Sequence, residues 1–159
     1  MGFALSTMQL VSPAFRQGGR IPAKYTGEGE NVSPPLSWSG APSGTRSFAV
    51  ICHDPDAPLI SKHGTYGFVH WVLYNIPAAT NSLDEGTTAF TAGKNDFGKT
   101  GYGGPMPPDG HGDHHYYFWI LALDHETQLE GGLELWELLQ EIEPRVTGMN
   151  RLMGIYARD

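Results

Sequence analysis

The sequence predicts a mostly β, single-domain fold over residues 1–159, with a helix near the carboxyl end. Phe48–Cys52, Gly67–Asn75 and His114–Leu123 are apolar or aromatic on both alternating faces, the pattern of strands covered on both sides. Helical periodicity is sustained in one place, between Gly131-Gly132 and Pro144. The 21 glycines and 12 prolines follow no fixed period, which predicts a loop-rich but folded chain. With 159 residues, 40% of them hydrophobic, the chain can build one core.

In chain order, Met8–Val11 reads as a short first strand. Phe48–Cys52 follows Gly44-Thr45 and runs into Asp54-Pro55, so a buried strand ends in a rigid turn. In Gly67–Asn75, strict alternation puts Phe68, His70, Val72 and Tyr74 on one face and Val69, Trp71 and Leu73 on the other, and Pro77 ends the strand. In His114–Leu123, His114, Tyr116, Phe118 and Ile120 share a side. The spacing of Leu135, Trp136, Leu138, Leu139 and Ile142 predicts a helix over Leu133–Glu143, which Pro144 stops. Leu152–Arg158 reads as a last strand.

The formal net charge of −7, with scattered Lys and Arg, gives no basic stripe for nucleic acid or an anionic membrane surface. The longest apolar run, Tyr116–Leu123, is too short for a bilayer span. The start, Met1-Gly2-Phe3-Ala4-Leu5-Ser6, lacks the basic and apolar regions of a secretory signal, and the single Cys52 allows no internal disulfide. These features predict a cytoplasmic protein. Cys52 shares a strand face with Phe48 and Val50, which predicts a buried, inert thiol.

Three features could carry chemistry. Asp54-Pro55-Asp56-Ala57-Pro58 aims a carboxylate from the end of a buried strand, although such a turn alone is more often a local cap. His70 is polar in Phe68-Val69-His70-Trp71-Val72 and needs partners for both nitrogens, which a satisfied core histidine also has. The loop from Gly101 through Gly104-Pro105 and Pro107-Pro108 to His114-His115-Tyr116 combines backbone that a ligand can approach closely with stiff walls. It delivers an imidazole and a phenol to one strand face.

These motifs resemble the phosphatidylethanolamine-binding protein family, also called Raf kinase inhibitor-like proteins, and most of all its bacterial and archaeal branch. The resemblance extends through Ser12-Pro13-Ala14-Phe15, Asn31-Val32-Ser33-Pro34-Pro35-Leu36-Ser37-Trp38 and Asn95-Asp96-Phe97-Gly98. It implies two antiparallel β-sheets with peripheral helices and a small cavity for anions, phosphate or phospholipid head groups. Carried over residue by residue, the cavity is Asp54, His70, His114 and Tyr116, walled by Ala57, Pro58, Gly104, Pro107 and Pro108. The resemblance further implies a homodimer and a regulatory role toward a kinase or protease. Two departures stand out. His115 occupies the place where the family commonly has Arg, and Arg145–Arg151 does not read as the family's last helix.

No cofactor and no resident metal are expected. The competing reading is an enzyme, either a metal-assisted hydrolase using Asp54, Asp56, His70 and the His111/His114/His115 cluster or an acid/base catalyst using Asp54 and His70. No His-Glu-x-x-His, Gly-x-Ser-x-Gly or P-loop pattern supports it. If protonated His70 and His114 are the donors, anion affinity should be weak and should fall above roughly pH 6.5.

Overall fold

The computed structural model describes residues 4–60, 63–64 and 66–158, so Met1-Gly2-Phe3 of the leader reading lie outside the described residues. Its strands are β1 (Gln9–Val11), β2 (Leu36–Ser39), β3 (Ser47–Asp54), β4 (Phe68–Pro77), β5 (Ser82–Leu83), β6 (Thr91–Ala92), β7 (His114–Leu123) and β8 (Val146–Tyr156). Helix α1 spans Leu135–Ile142, and 3-10 turns occupy Ala23–Tyr25 and Glu143–Arg145. All pairings between strands are antiparallel, in a large sheet of order β6-β4-β3-β7-β8 and a small one of order β1-β2-β5.

The three doubly apolar segments are the three inner strands of the large sheet, β4, β3 and β7. One face carries Phe48, Val50, Cys52, Trp71, Leu73, Phe118 and Ile120, packed against Leu10, Leu36, Trp38 and Leu83 of the small sheet. The opposite face carries Ala49, Ile51, Val72, Tyr74 and Leu121, covered by Leu138 and Ile142 of α1. Both faces of the sheet are therefore removed from water, which is why the inner strands have no polar side.

Three expectations need correction. The helix starts at Leu135, where Glu134 caps it and Glu137 accepts the Glu134 amide at 2.8 Å, and Glu143–Arg145 tightens into a 3-10 turn because Pro144 cannot continue the α pattern. Only Leu138 and Ile142 of its apolar set are buried, while Leu139 is 36% exposed. The last strand begins at Val146, not Leu152, and pairs with β7 along its whole length, so the segment Arg145–Arg151 is mostly edge strand.

The third correction concerns β4. Its register against β3 slips between Cys52↔Trp71 and His53↔Val69, which leaves His70 as an extra residue, a β-bulge. A second slip lies between Phe48↔Ile76 and Val50↔Leu73, at Asn75, whose φ of 57° is left-handed. Strict alternation put Trp71 opposite His70. With the bulge, Trp71 and Leu73 join the core shared with the small sheet, Val69 and Val72 join the helix side, and the His70 ring lies 5.2 Å from that of Tyr116.

Candidate functional site

The bulge brings four polar side chains to one end of the large sheet. Asp54 ends β3, His114 and Tyr116 begin β7, and His70 enters from β4. Asp54, His70, His114 and Tyr116 are each at most 3% exposed. Such burial requires that their polar atoms be partnered or aimed at a ligand.

His70 is clamped at two points. Its Nδ1 lies 2.7 Å from the Gly103 carbonyl, and its own carbonyl accepts the Gly103 amide at 3.0 Å. Because a carbonyl only accepts, Nδ1 carries the proton. Burial drives the ring's pKa down to about 4, against the opposing pull of the Gly103 carbonyl and Asp54. His70 is therefore neutral near pH 7, contrary to the expectation of a protonated ring, and its Nε2 bears a lone pair. Phe68 and Phe97 lie over it, with ring centroids 4.8 and 5.6 Å from its own.

The bulge also detaches the Val69 amide from the ladder, and Asp96 accepts it at 2.8 Å. Asp96 returns its own amide to the Val69 carbonyl at 2.9 Å. This strapping seats Phe97 beside His70, and it fixes the route of the chain toward Gly103-Gly104. There Asn31, at φ 59°, accepts the Gly104 amide at 2.7 Å through Oδ1. A Cβ on Gly104 would fall 2.3 Å from the Tyr25 carbonyl, so only glycine fits this close approach.

On the other arm, His114 Nδ1 lies 2.7 Å from Asp54 Oδ2, and Asp54 Oδ1 accepts the Asp56 amide at 2.8 Å. The acidic partner fixes the His114 proton on Nδ1 and leaves Nε2 to face the site. That nitrogen meets His111 Nδ1 at 2.7 Å. Tyr116 lies between the arms, its ring centroid 6.4 Å from His114. Burial pushes its hydroxyl well up, and Asp54 adds to the shift, so the phenol remains a donor. Burial likewise raises the Cys52 thiol well above its usual value.

Of the expected walls, Ala57, Gly104 and Pro107 are buried while Pro58 and Pro108 are exposed. His115 takes up the place of the family's Arg: its Nδ1 and its amide reach Asp56 Oδ2 at 2.6 and 2.7 Å. Burial alone would raise the Asp56 carboxyl, but the two His115 bonds outweigh it and hold it low. Sequence reasoning missed Phe97, Asn31 and the Gly103 carbonyl, and it considered His111 only as a metal ligand. Among the described residues no group of three or more His, Cys, Asp or Glu is placed to hold a metal ion. A hollow of about 540 Å³ adjoins the cluster through Phe68, between Leu59, Ile60 and the α1 residues Leu135, Trp136 and Leu139. No helix among the described residues is long and apolar enough to cross a membrane.

Nearly the whole chain is similar to known proteins. The chain is 44% identical over 158 residues to a UPF0098 protein of Methanothermobacter thermautotrophicus, covering 95% of this chain and 99% of that one. A UPF0098 protein of Aquifex aeolicus is 39% identical over 159 residues, with 96% and 90% covered. Among solved structures, a putative phosphatidylethanolamine-binding protein homologue from Chlamydia trachomatis superposes with a TM-score of 0.87 at 36% identity, covering 97% and 99% of the two chains. Escherichia coli YbcL, described as a member of the mammalian family, gives a TM-score of 0.87 at 31% identity, covering 97% and 100%. The family model for phosphatidylethanolamine-binding protein matches residues 11–157. With the paired sheets and nearly the whole length in agreement, the chain belongs to the phosphatidylethanolamine-binding protein family.

Proposed function

We propose that this protein binds a small phosphate-class oxyanion, inorganic phosphate or a phosphomonoester head group, without turning it over. The observation that carries the reading is the commitment of His70 Nδ1 to the Gly103 carbonyl, at 2.7 Å, beside the Tyr116 phenol. A neutral His70 then offers an acceptor at Nε2, and Tyr116 offers a donor. A hydrogen phosphate satisfies both, because it carries a P–OH as well as P–O oxygens. Sulfate, with no proton to give, leaves the His70 lone pair unmatched. Selectivity for the protonated oxyanion follows, and the buried Asp54 keeps the affinity modest by repelling negative charge.

The test is NMR titration of the histidine ring signals with inorganic phosphate and with sulfate. Phosphate should shift His70 and His114 with an affinity in the high micromolar to millimolar range, about tenfold tighter than sulfate. Unmoved ring signals at tens of millimolar phosphate would sink the reading, and hydrolysis of an aryl phosphate by the same sample would replace it with an enzymatic one. The regulatory reading adds a kinase or protease as the protein whose activity is modulated, to be sought by pull-down from lysate with and without phosphate. A homodimer is proposed as the working state in the cytoplasm. Sedimentation at tens of micromolar should give about twice the 17.4 kDa chain mass, and a single monomeric species would overturn that part.

A further inference from the structure

The contact between His111 and His114 is unlike the others in the site, because its partners can exchange and lose the bond by protonation alone. The two ring nitrogens are 2.7 Å apart, and the ring centroids 4.9 Å. That separation is a hydrogen bond, since two histidines on one tetrahedral metal would hold their nitrogens about 3.3 Å apart given metal–nitrogen bonds of about 2.0–2.1 Å. Asp54 already claims the His114 Nδ1 proton. His114 Nε2 and His111 Nδ1 must therefore share a single proton between them. With both rings neutral, His111 donates and His114 accepts. With one ring charged, the bond persists and is charge-assisted. With both charged, two N–H groups point at each other between two positive rings, and no bond remains.

The chain around His111 is open on its outer side and lightly tied. Gly110 and Gly112 flank it at φ 74° and 84°, and a Cβ at either would meet nothing within 4 Å. Beyond the ring contact, His111 is tied by its amide to the Pro108 carbonyl at 3.1 Å, and the Gly110 amide reaches the Arg158 carbonyl at 3.2 Å. The ionisable groups around the pair are Asp54 on β3, His70 on β4, Tyr116 and His115 on β7, and Asp56 from the turn after β3. Asp109 and Asp113 lie in the loop itself. Arg158, past β8, donates from Nη1 to the Pro107 carbonyl at 3.4 Å and faces Glu28 at 3.6 Å.

Resting on the reading of the site as an oxyanion receptor, we propose that His111 is its gate: closed while His111 and His114 share one proton, opened by a second proton or by an oxyanion that takes His114 Nε2. The ligand then enters where the His111 ring stood, and His114 Nε2 turns an N–H toward it while Asp54 keeps the Nδ1 proton. Binding near neutral pH should take up a proton, because an oxyanion favours His114 protonated on both nitrogens, a form the closed contact with a donating His111 forbids.

The experiment compares wild type, His111→Ala and His111→Gln by NMR, first without any anion and then with inorganic phosphate at pH 6.5. Without anion, the Gly110 and Gly112 amide signals of wild type should shift between pH 8 and pH 5. They should stay at the open position in His111→Ala, and at the closed position in His111→Gln, whose amide donor does not titrate. With phosphate, His111→Ala should bind about fivefold tighter than wild type, the net worth of one hydrogen bond no longer broken on entry. Glycine signals that are the same at pH 8 and pH 5 in wild type would overturn the gate. So would equal phosphate affinity in wild type and His111→Ala. If the loop signals respond to pH but phosphate moves neither His70 nor His114 in any variant, the receptor reading fails while the proton-controlled loop stands.

Discussion

Acid should destabilise this protein through His70 in particular, and the amount follows from its burial. The ring titrates at about 4 in the folded state and near its ordinary 6.5 in the unfolded chain. Between those values the unfolded chain holds the proton and the folded one does not. The contribution is therefore complete above pH 6.5 and is lost as pH falls, until the folded ring itself protonates near pH 4. A gap of about 2.5 pH units at about 1.4 kcal/mol each amounts to about 3 kcal/mol between pH 7 and pH 4. Other groups titrate over the same range, so the quantity to measure is a difference of differences. Urea unfolding of wild type and His70→Gln, whose amide can still donate to the Gly103 carbonyl, gives the stability gap at each pH. That gap should move by about 3 kcal/mol in favour of the variant on going from pH 7 to pH 4. A gap constant to within about 0.5 kcal/mol would show that His70 is protonated without penalty, and with it the argument for a neutral acceptor in the site would fall.

Asp96→Ala should cost about 1–3 kcal/mol, because the Val69 amide freed by the bulge loses its 2.8 Å acceptor; the same unfolding curves measure it. Gly104→Ala should be at least as damaging, with about 2–3 kcal/mol lost, since its Cβ would meet the Tyr25 carbonyl at 2.3 Å and Asn31 Oδ1 at 2.7 Å. Cys52 should not react with a thiol reagent in the native protein but should react fully in denaturant, as its burial and raised pKa require. Native-state labelling within minutes would contradict the placement of β3. Asp54→Asn should strengthen phosphate binding several-fold, because it removes the buried charge that repels the anion while its amide oxygen still accepts the His114 Nδ1 proton, and an unchanged titration would remove Asp54 from the site.

The inner strands β3, β4 and β7 were legible because burial on both faces leaves the same mark whatever the register. That property also hid the bulge. A strand with one polar face reveals a one-residue slip at once, because polar side chains would turn inward. In Phe68-Val69-His70-Trp71-Val72 both faces are apolar, so alternation carries no information about where it breaks. The short strands β2, β5 and β6 hold four, two and two residues, below the length at which any period can be read. Val146–Arg151 escaped for another reason. Thr147, Asn150 and Arg151 give it no strand pattern, and it is held in the sheet by β7, which offers a ten-residue edge to pair.

The site residues were named from motifs, yet what makes them a site is the break in the motif's own strand. Without the extra residue, His70 would follow the alternation of β4 away from Trp71, and its ring would leave Tyr116. With it, the cost is an unpaired amide at Val69 and a polar ring among aromatics, and each is met by a specific partner: Asp96 for the amide, the Gly103 carbonyl for the ring. Both partners come from the segment between Gly93 and Gly104, which also carries Phe97 and the glycine that no other residue can replace. That segment and the bulge therefore depend on each other. Substitutions in either should act together on stability and on phosphate binding, and a double-mutant cycle between Asp96→Ala and His70→Gln should show a coupling of about 0.5–3 kcal/mol, whereas simple additivity would mean that the bulge holds its shape unaided.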